Sequence, residues 1–181
     1  SEAERLLEEL KRSTDEIKKR VEKLLEDNKR TSEEIEEEVR RLLETNRKLI
    51  EDVKRKVERD RDKDEIKRLL DEVKKSAEDS SRRIEELLKE DKKSADDSSE
   101  EIKRLLDEDR KLVEDVIRRI TDERVRRELE KLLRDSERKI KEMLERNEKL
   151  ARDSEERIRR MDDKNKDLLR RVKETIERKL K

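Results

Sequence analysis

The 181-residue chain contains no glycine, proline, cysteine, histidine, tryptophan, tyrosine or phenylalanine. Each absence closes a class of structure or function. Without glycine, strand-rich folds are excluded, because tight hairpin turns need residues at positive φ. Without cysteine there are no disulfides, thiolate metal sites or thiol nucleophiles, and the redox compartment is not legible. Without histidine and cysteine, the usual nucleophile–base pairs cannot be built. Without aromatics there is no platform for base stacking. No apolar run is long enough for a signal peptide or a membrane span. Charge of one sign is also missing: 56 basic side chains face 56 acidic ones, which argues against a nucleic-acid partner needing a positive face. The start at Ser1, without methionine, leads us to expect numbering of a trimmed chain. A soluble protein, of the kind expressed recombinantly in the cytoplasm, is expected; its cellular localisation is not legible.

What remains is Glu, Lys, Arg, Leu and Asp, with 62% of residues charged. That composition fits disorder as well as long helices, and periodicity decides between them. Leu6–Lys23 (LLEELKRSTDEIKKRVEK), Leu24–Arg41 (LLEDNKRTSEEIEEEVRR) and Leu42–Arg59 (LLETNRKLIEDVKRKVER) repeat in register. Comparable units begin at Leu69, Leu87 and Leu105, and again at Leu132, Leu150 and Leu168. Eighteen residues are five whole helical turns. The apolar positions therefore form a stripe that does not drift, and neither a left- nor a right-handed supercoil is required.

The stripe breaks at residues 60–64 and at Thr121-Asp122, where aspartates suit a helix N-cap. Connections this short make consecutive helices antiparallel. We therefore expect a single all-α domain over residues 1–181: a straight, untwisted, up-down-up three-helix bundle on an eighteen-residue repeat. Its helices span about 1–59, 63–120 and 123–181, each roughly 85–90 Å long.

Antiparallel pairing predicts which residues meet. Asp109 falls level with Ser13, Thr14 and Ser136. Asp91 falls level with Thr31, Ser32 and Ser154. Asn28 meets Ser94, Ala95 and Asn147; Asn46 meets Ser76, Ala77 and Asn165. Where Asp gives way to Val73, the partners become Leu49, Ile50 and Val172. Leu10, Leu112, Val113 and Leu129 form an apolar end layer. Polar and apolar positions switch together on all three segments, which predicts four buried polar layers between apolar ones. A buried carboxylate needs donors. Ser, Thr and Asn supply them, and such layers help only when satisfied. They would fix register, because a slip of one repeat pairs leucine with leucine yet drives Asp91 or Asp109 against an apolar layer.

Other readings of these residues are weaker. A bundle di-metal site needs inward Glu and Glu-x-x-His ligands, and a calcium loop needs a glycine turn, so no catalytic, cofactor or metal site is expected. The serine-rich face from Ser76 to Ser99, with pairs Ser80-Ser81 and Ser98-Ser99, reads as close helix approach rather than as a cavity or a groove for another helix. Asp96 and Asp97 read as surface, and Asp162 as reaching Ser80 or Ser81. Met143 and Met161 read as core filler. Charge runs such as Glu36-Glu37-Glu38 and Arg170-Arg171 read as solvated faces.

With its eighteen-residue units, glycine-free turns, charged surfaces and coordinated Ser/Thr/Asn/Asp layers, the chain resembles de novo designed, parametrically built helical bundles with buried hydrogen-bond networks. The resemblance covers all three segments. It implies a thermostable scaffold with no natural substrate and no cofactor. No partner is expected and the reading is a monomer. The alternatives are a component of a designed oligomer or helix-accepting assembly, and a natural spectrin-like coiled-coil spacer.

Overall fold

In the computed structural model, which describes all 181 residues, the chain folds into three α-helices: α1 (Glu2–Arg59), α2 (Lys63–Arg119) and α3 (Glu123–Leu180). Each start follows from a side chain that caps free amides. The Ser1 hydroxyl accepts from the Glu4 amide at 3.3 Å, and the Glu4 carboxylate lies 3.7 Å from the N-terminal ammonium. This is the reciprocal capping box expected of that spacing. Asp62 and Asp122 cap α2 and α3 through the amides of Asp64 and Arg124, each at 3.0 Å. Removing either cap by Asp62→Ala or Asp122→Ala is expected to cost about 1 kcal/mol, read as a lower urea midpoint at unchanged slope.

Both turns are three residues long, Asp60–Asp62 and Ile120–Asp122, and no residue adopts positive φ. The helix C-termini therefore end without the left-handed residue that commonly satisfies the last carbonyls. Side chains of α3 supply donors instead. Arg126 donates to the carbonyls of Ile117 and Ile120 at the end of α2, and Lys179 donates to the Val57 carbonyl at the end of α1. Cations there also oppose the negative end of the helix dipole.

The residues group into two compact units, Ser1–Thr31 with Lys92–Ala151, and Ser32–Asp91 with Arg152–Lys181. In the first unit, Thr14 meets Asp109 and Asn28 meets Ser94, so α1 and α2 run antiparallel. One apolar cluster joins Leu7, Leu10, Val113 and Leu129. A second is centred on Val21, Ile102 and Ile140, all fully buried. In the second unit, Ser32 meets Asp91 and Asn46 meets Ser76, again antiparallel. Contacts of Glu36 with Arg157 and of Val57 with Lys179 make α3 parallel to α1. Its clusters are centred on Val39, Ile84 and Ile158, and on Ile50, Val73 and Val172. The chain is thus a three-helix bundle in which every cluster draws a branched or leucine side chain from each helix. Fully burying one such side chain contributes about 1.5–3 kcal/mol.

Two expectations about the apolar layers change. Leu112 is 43% exposed and leaves the end layer to its neighbour Val113, which is fully buried. Leu150, which opens a unit on α3, is 48% exposed.

Candidate functional site

The polar residues of the first unit form two layers. In one, the Thr14 hydroxyl donates to Asp109 Oδ1 at 3.1 Å, and both residues are buried. Ser136 lies beside the same carboxylate and favours its charged form, but its hydroxyl is outside hydrogen-bonding geometry, and Asp109 Oδ2 has no protein partner. Ser13 is half-buried and makes no side-chain hydrogen bond. The residue next to it, one hundred degrees around the helix, takes the inward position instead. In the other layer, Asn28 joins both neighbouring helices. Its Nδ2 donates to Asn147 Oδ1 at 2.9 Å and its Oδ1 accepts from Ser94 at 3.0 Å. Asn147 Nδ2 remains unpartnered.

In the second unit, Ser32 donates to Asp91 Oδ1 at 2.6 Å. Ser154 is 1% exposed, yet its hydroxyl has no partner. Thr31 is not a partner of Asp91. Its hydroxyl donates to the Asp27 carbonyl at 3.0 Å, one turn back on its own helix, a local bond open to any helical threonine. Ser76 donates to Asn46 Oδ1 at 2.6 Å, while Asn46 Nδ2 has no partner. Asn165 is buried and makes no hydrogen bond. The two asparagine layers therefore differ: one spans three helices, the other two.

Burial is the largest influence on both aspartates and pushes their carboxyls above the ordinary range. At Asp91 the Ser32 hydrogen bond opposes this, while Glu36 and Glu155 add to it. At Asp109 the Thr14 hydroxyl opposes it, and Glu137 adds to it. The layers thus hold carboxylates that are desolvated but only partly compensated by donors.

Sequence reasoning missed the charged residues that periodicity places beside the stripe. Glu36 is not part of a solvated face. It is 6% exposed and accepts from Arg157 Nε at 2.7 Å. Glu38 pairs with Arg83 of α2 at 2.8 Å. Asp162 is buried and pairs with Lys166 at 3.0 Å, rather than with Ser80 or Ser81. For Glu36 and Glu38 a long cationic side chain of a neighbouring helix reaches over the seam, and oppositely charged residues flanking two facing stripes were the available signal; Lys166 reaches Asp162 from one turn along α3. Asp96 and Asp97 are exposed. The serine-rich face of α2 leaves a groove of about 490 Å³ against α1, lined by Asn46, Leu49, Ser76 and Ser80, where close approach was expected.

Chemically, the layers hold hydrogen bonds among hydroxyl, amide and carboxylate groups. No group of three or more acidic side chains is placed to hold a metal ion, and no helix is long and apolar enough to cross a membrane. No protein-family profile and no curated protein sequence matches the chain. Among solved structures it is similar to a computationally designed three-helix bundle, with a TM-score of 0.56 and 17% identity over 99% of this chain and 84% of that one.

Proposed function

We propose that the chain is a designed structural scaffold with no natural biochemical activity, and that its buried Ser, Thr, Asn and Asp layers set helix register. One observation carries the reading: the same donor–acceptor pairs recur at eighteen-residue spacing. Thr14–Asp109 is repeated by Ser32–Asp91, and Asn28–Ser94 by Asn46–Ser76. Apolar clusters recur at the same spacing, as Val21, Ile102 and Ile140 do in Val39, Ile84 and Ile158. Apolar layers that repeat cannot by themselves distinguish one register from the next. Polar layers can, because a displaced carboxylate loses its hydroxyl and gains an aliphatic neighbour. The glycine-free composition and the likeness to a designed bundle support a designed origin.

We further propose that residues 1–181 fold as one unit on an eighteen-residue repeat, and that the chain is monomeric. Calorimetry and circular dichroism are expected to record one cooperative transition, well above the ~45–65 °C typical of mesophile domains. Sedimentation is expected to give the mass of one chain. The register role is tested by replacing all four layers with leucine and valine and measuring the distance between spin labels on exposed positions of α1 and α2. A slip of one repeat moves facing residues apart by roughly 27 Å. The unaltered chain should give one distance and the apolar variant an added, displaced population; a single unchanged distance in both would sink the idea.

A further inference from the structure

Two grooves lie between α1 and α3, one in each unit, built from the same positions eighteen residues apart. Leu25, Met143, Asn147 and Leu150 line the first; Leu43, Met161, Asn165 and Leu168 line the second. The second is the larger, with a volume of about 820 Å³. Leu43, Met161 and Leu168 are only half-buried there, Leu43 and Met161 packing against the apolar cluster of the unit while also lining the groove. Asn165 is 9% exposed, lines the groove, and has an amide that makes no hydrogen bond within the chain. An occupant carrying an acceptor would give that amide the partner it lacks within the chain.

The rim sets the charge of that occupant. Glu37 and Glu44 are the only anions lining the groove, against five cations. Both are already engaged, Glu37 by Arg40 and Arg41 and Glu44 by Arg47. Lys48 and Lys164 line the groove with no ion-pair partner. The surface is therefore a basic rim over an apolar floor.

Its form sets the shape. The α3 wall presents Met161, Asn165 and Leu168, spaced at successive helical turns, opposite Leu43 of the parallel helix α1. A trough between two parallel helices has the ridges and pitch that a third helix fills. We propose that the α1–α3 groove of the second unit binds an acidic amphipathic α-helix of a partner protein. The leucines of that helix lie on Leu43, Met161 and Leu168, and its carboxylates lie against Lys48 and Lys164. The lining on α1 runs from Glu37 to Lys48, about three turns of partner helix.

The test titrates the full chain, by fluorescence anisotropy, with two labelled eighteen-residue helical peptides. Both carry the same leucine stripe, with glutamate flanks in one and lysine flanks in the other. The glutamate peptide is expected to bind at least about tenfold more tightly, and to weaken as salt rises. The exposed double variant Lys48→Glu/Lys164→Glu should reverse the preference without altering the helical circular dichroism. Leu168→Glu should abolish binding of both peptides. Equal binding of the two peptides, no binding, or no effect of Lys48→Glu/Lys164→Glu would overturn the proposal. So would self-association of the unaltered chain that Leu168→Glu converts to monomer, since the groove would then belong to a second copy.

Discussion

Val73→Asp is expected to lower stability by about 3–5 kcal/mol, the loss typical of a buried charge without a partner. Val73 is fully buried and packs in the second unit with Leu49, Ile50 and Val172. None of these can donate a hydrogen bond to a carboxylate. Yet Val73 stands eighteen residues from Asp91, as Ile50 does from Ser32 and Val172 from Ser154. The substitution therefore transplants the acid of one layer without the serines at the matching positions. Adding Ile50→Ser and Val172→Ser supplies them. Each serine alone opens a cavity and is destabilising. If the layers act as units, the triple variant should be more stable than the sum of its parts by about 0.5–3 kcal/mol. Urea unfolding of the three single variants and the triple variant gives the coupling. Strict additivity would mean that the acid gains nothing from its hydroxyls, and the register reading would lose its basis.

The converse substitution, Asp91→Leu, is expected to keep the fold and raise stability by about 1–4 kcal/mol at neutral pH. Asp91 is 4% exposed and holds one hydrogen bond, from Ser32. When it is replaced, Ser32 retains an outlet, since a helical serine can bond the carbonyl one turn back as Thr31 does. The gain should depend on pH in a fixed direction. The Asp91 carboxyl titrates above its ordinary value of 3.8 because burial disfavours its charge. Between that value and the raised folded value, the folded chain binds more protons than the unfolded one. Stability contributed by this group is therefore full below the unfolded value and is lost as pH rises through the folded value. The advantage of Asp91→Leu should accordingly be smallest at acid pH and grow to a plateau above the raised value. Surface glutamates such as Glu44 and Glu65, held below the ordinary range by hydrogen bonds from Arg47 and Arg68, have the opposite dependence. They are common to both proteins and cancel in the difference. Chemical unfolding of the pair from acid to neutral pH checks it; an advantage that shrinks with rising pH would contradict the assignment.

The helix ends follow the sequence to within about a residue, because the breaks in the stripe at 60–64 and 121–122 contain the aspartates that cap α2 and α3. The facing of Thr14 with Asp109, Ser32 with Asp91, and Asn28 with both Ser94 and Asn147 was legible from the turn positions alone. A three-residue turn places residues equidistant from it at about the same height on the two antiparallel helices. Such residues are named by angle and height on a helix, and both are linear functions of residue number.

The tertiary structure decided everything that depends on side-chain length and on the third neighbour. Thr31 and Ser32 sit at the same height, and only the packing shows that Ser32 reaches the carboxylate while Thr31 turns to its own backbone. Ser154 has the right angle and height, yet its hydroxyl finds no acceptor. Glu36 lies one residue from the stripe and would read as surface, but Arg157 spans the α1–α3 seam and covers it. Leu112 belongs to the stripe by periodicity but is exposed, because Val113 already fills the layer. An eighteen-residue period determines where a side chain leaves the helix. What it touches is set by the gap left between three helices, by the rotamer that fills it, and by the long cations that close it. Those are properties of the packed bundle and of no single segment.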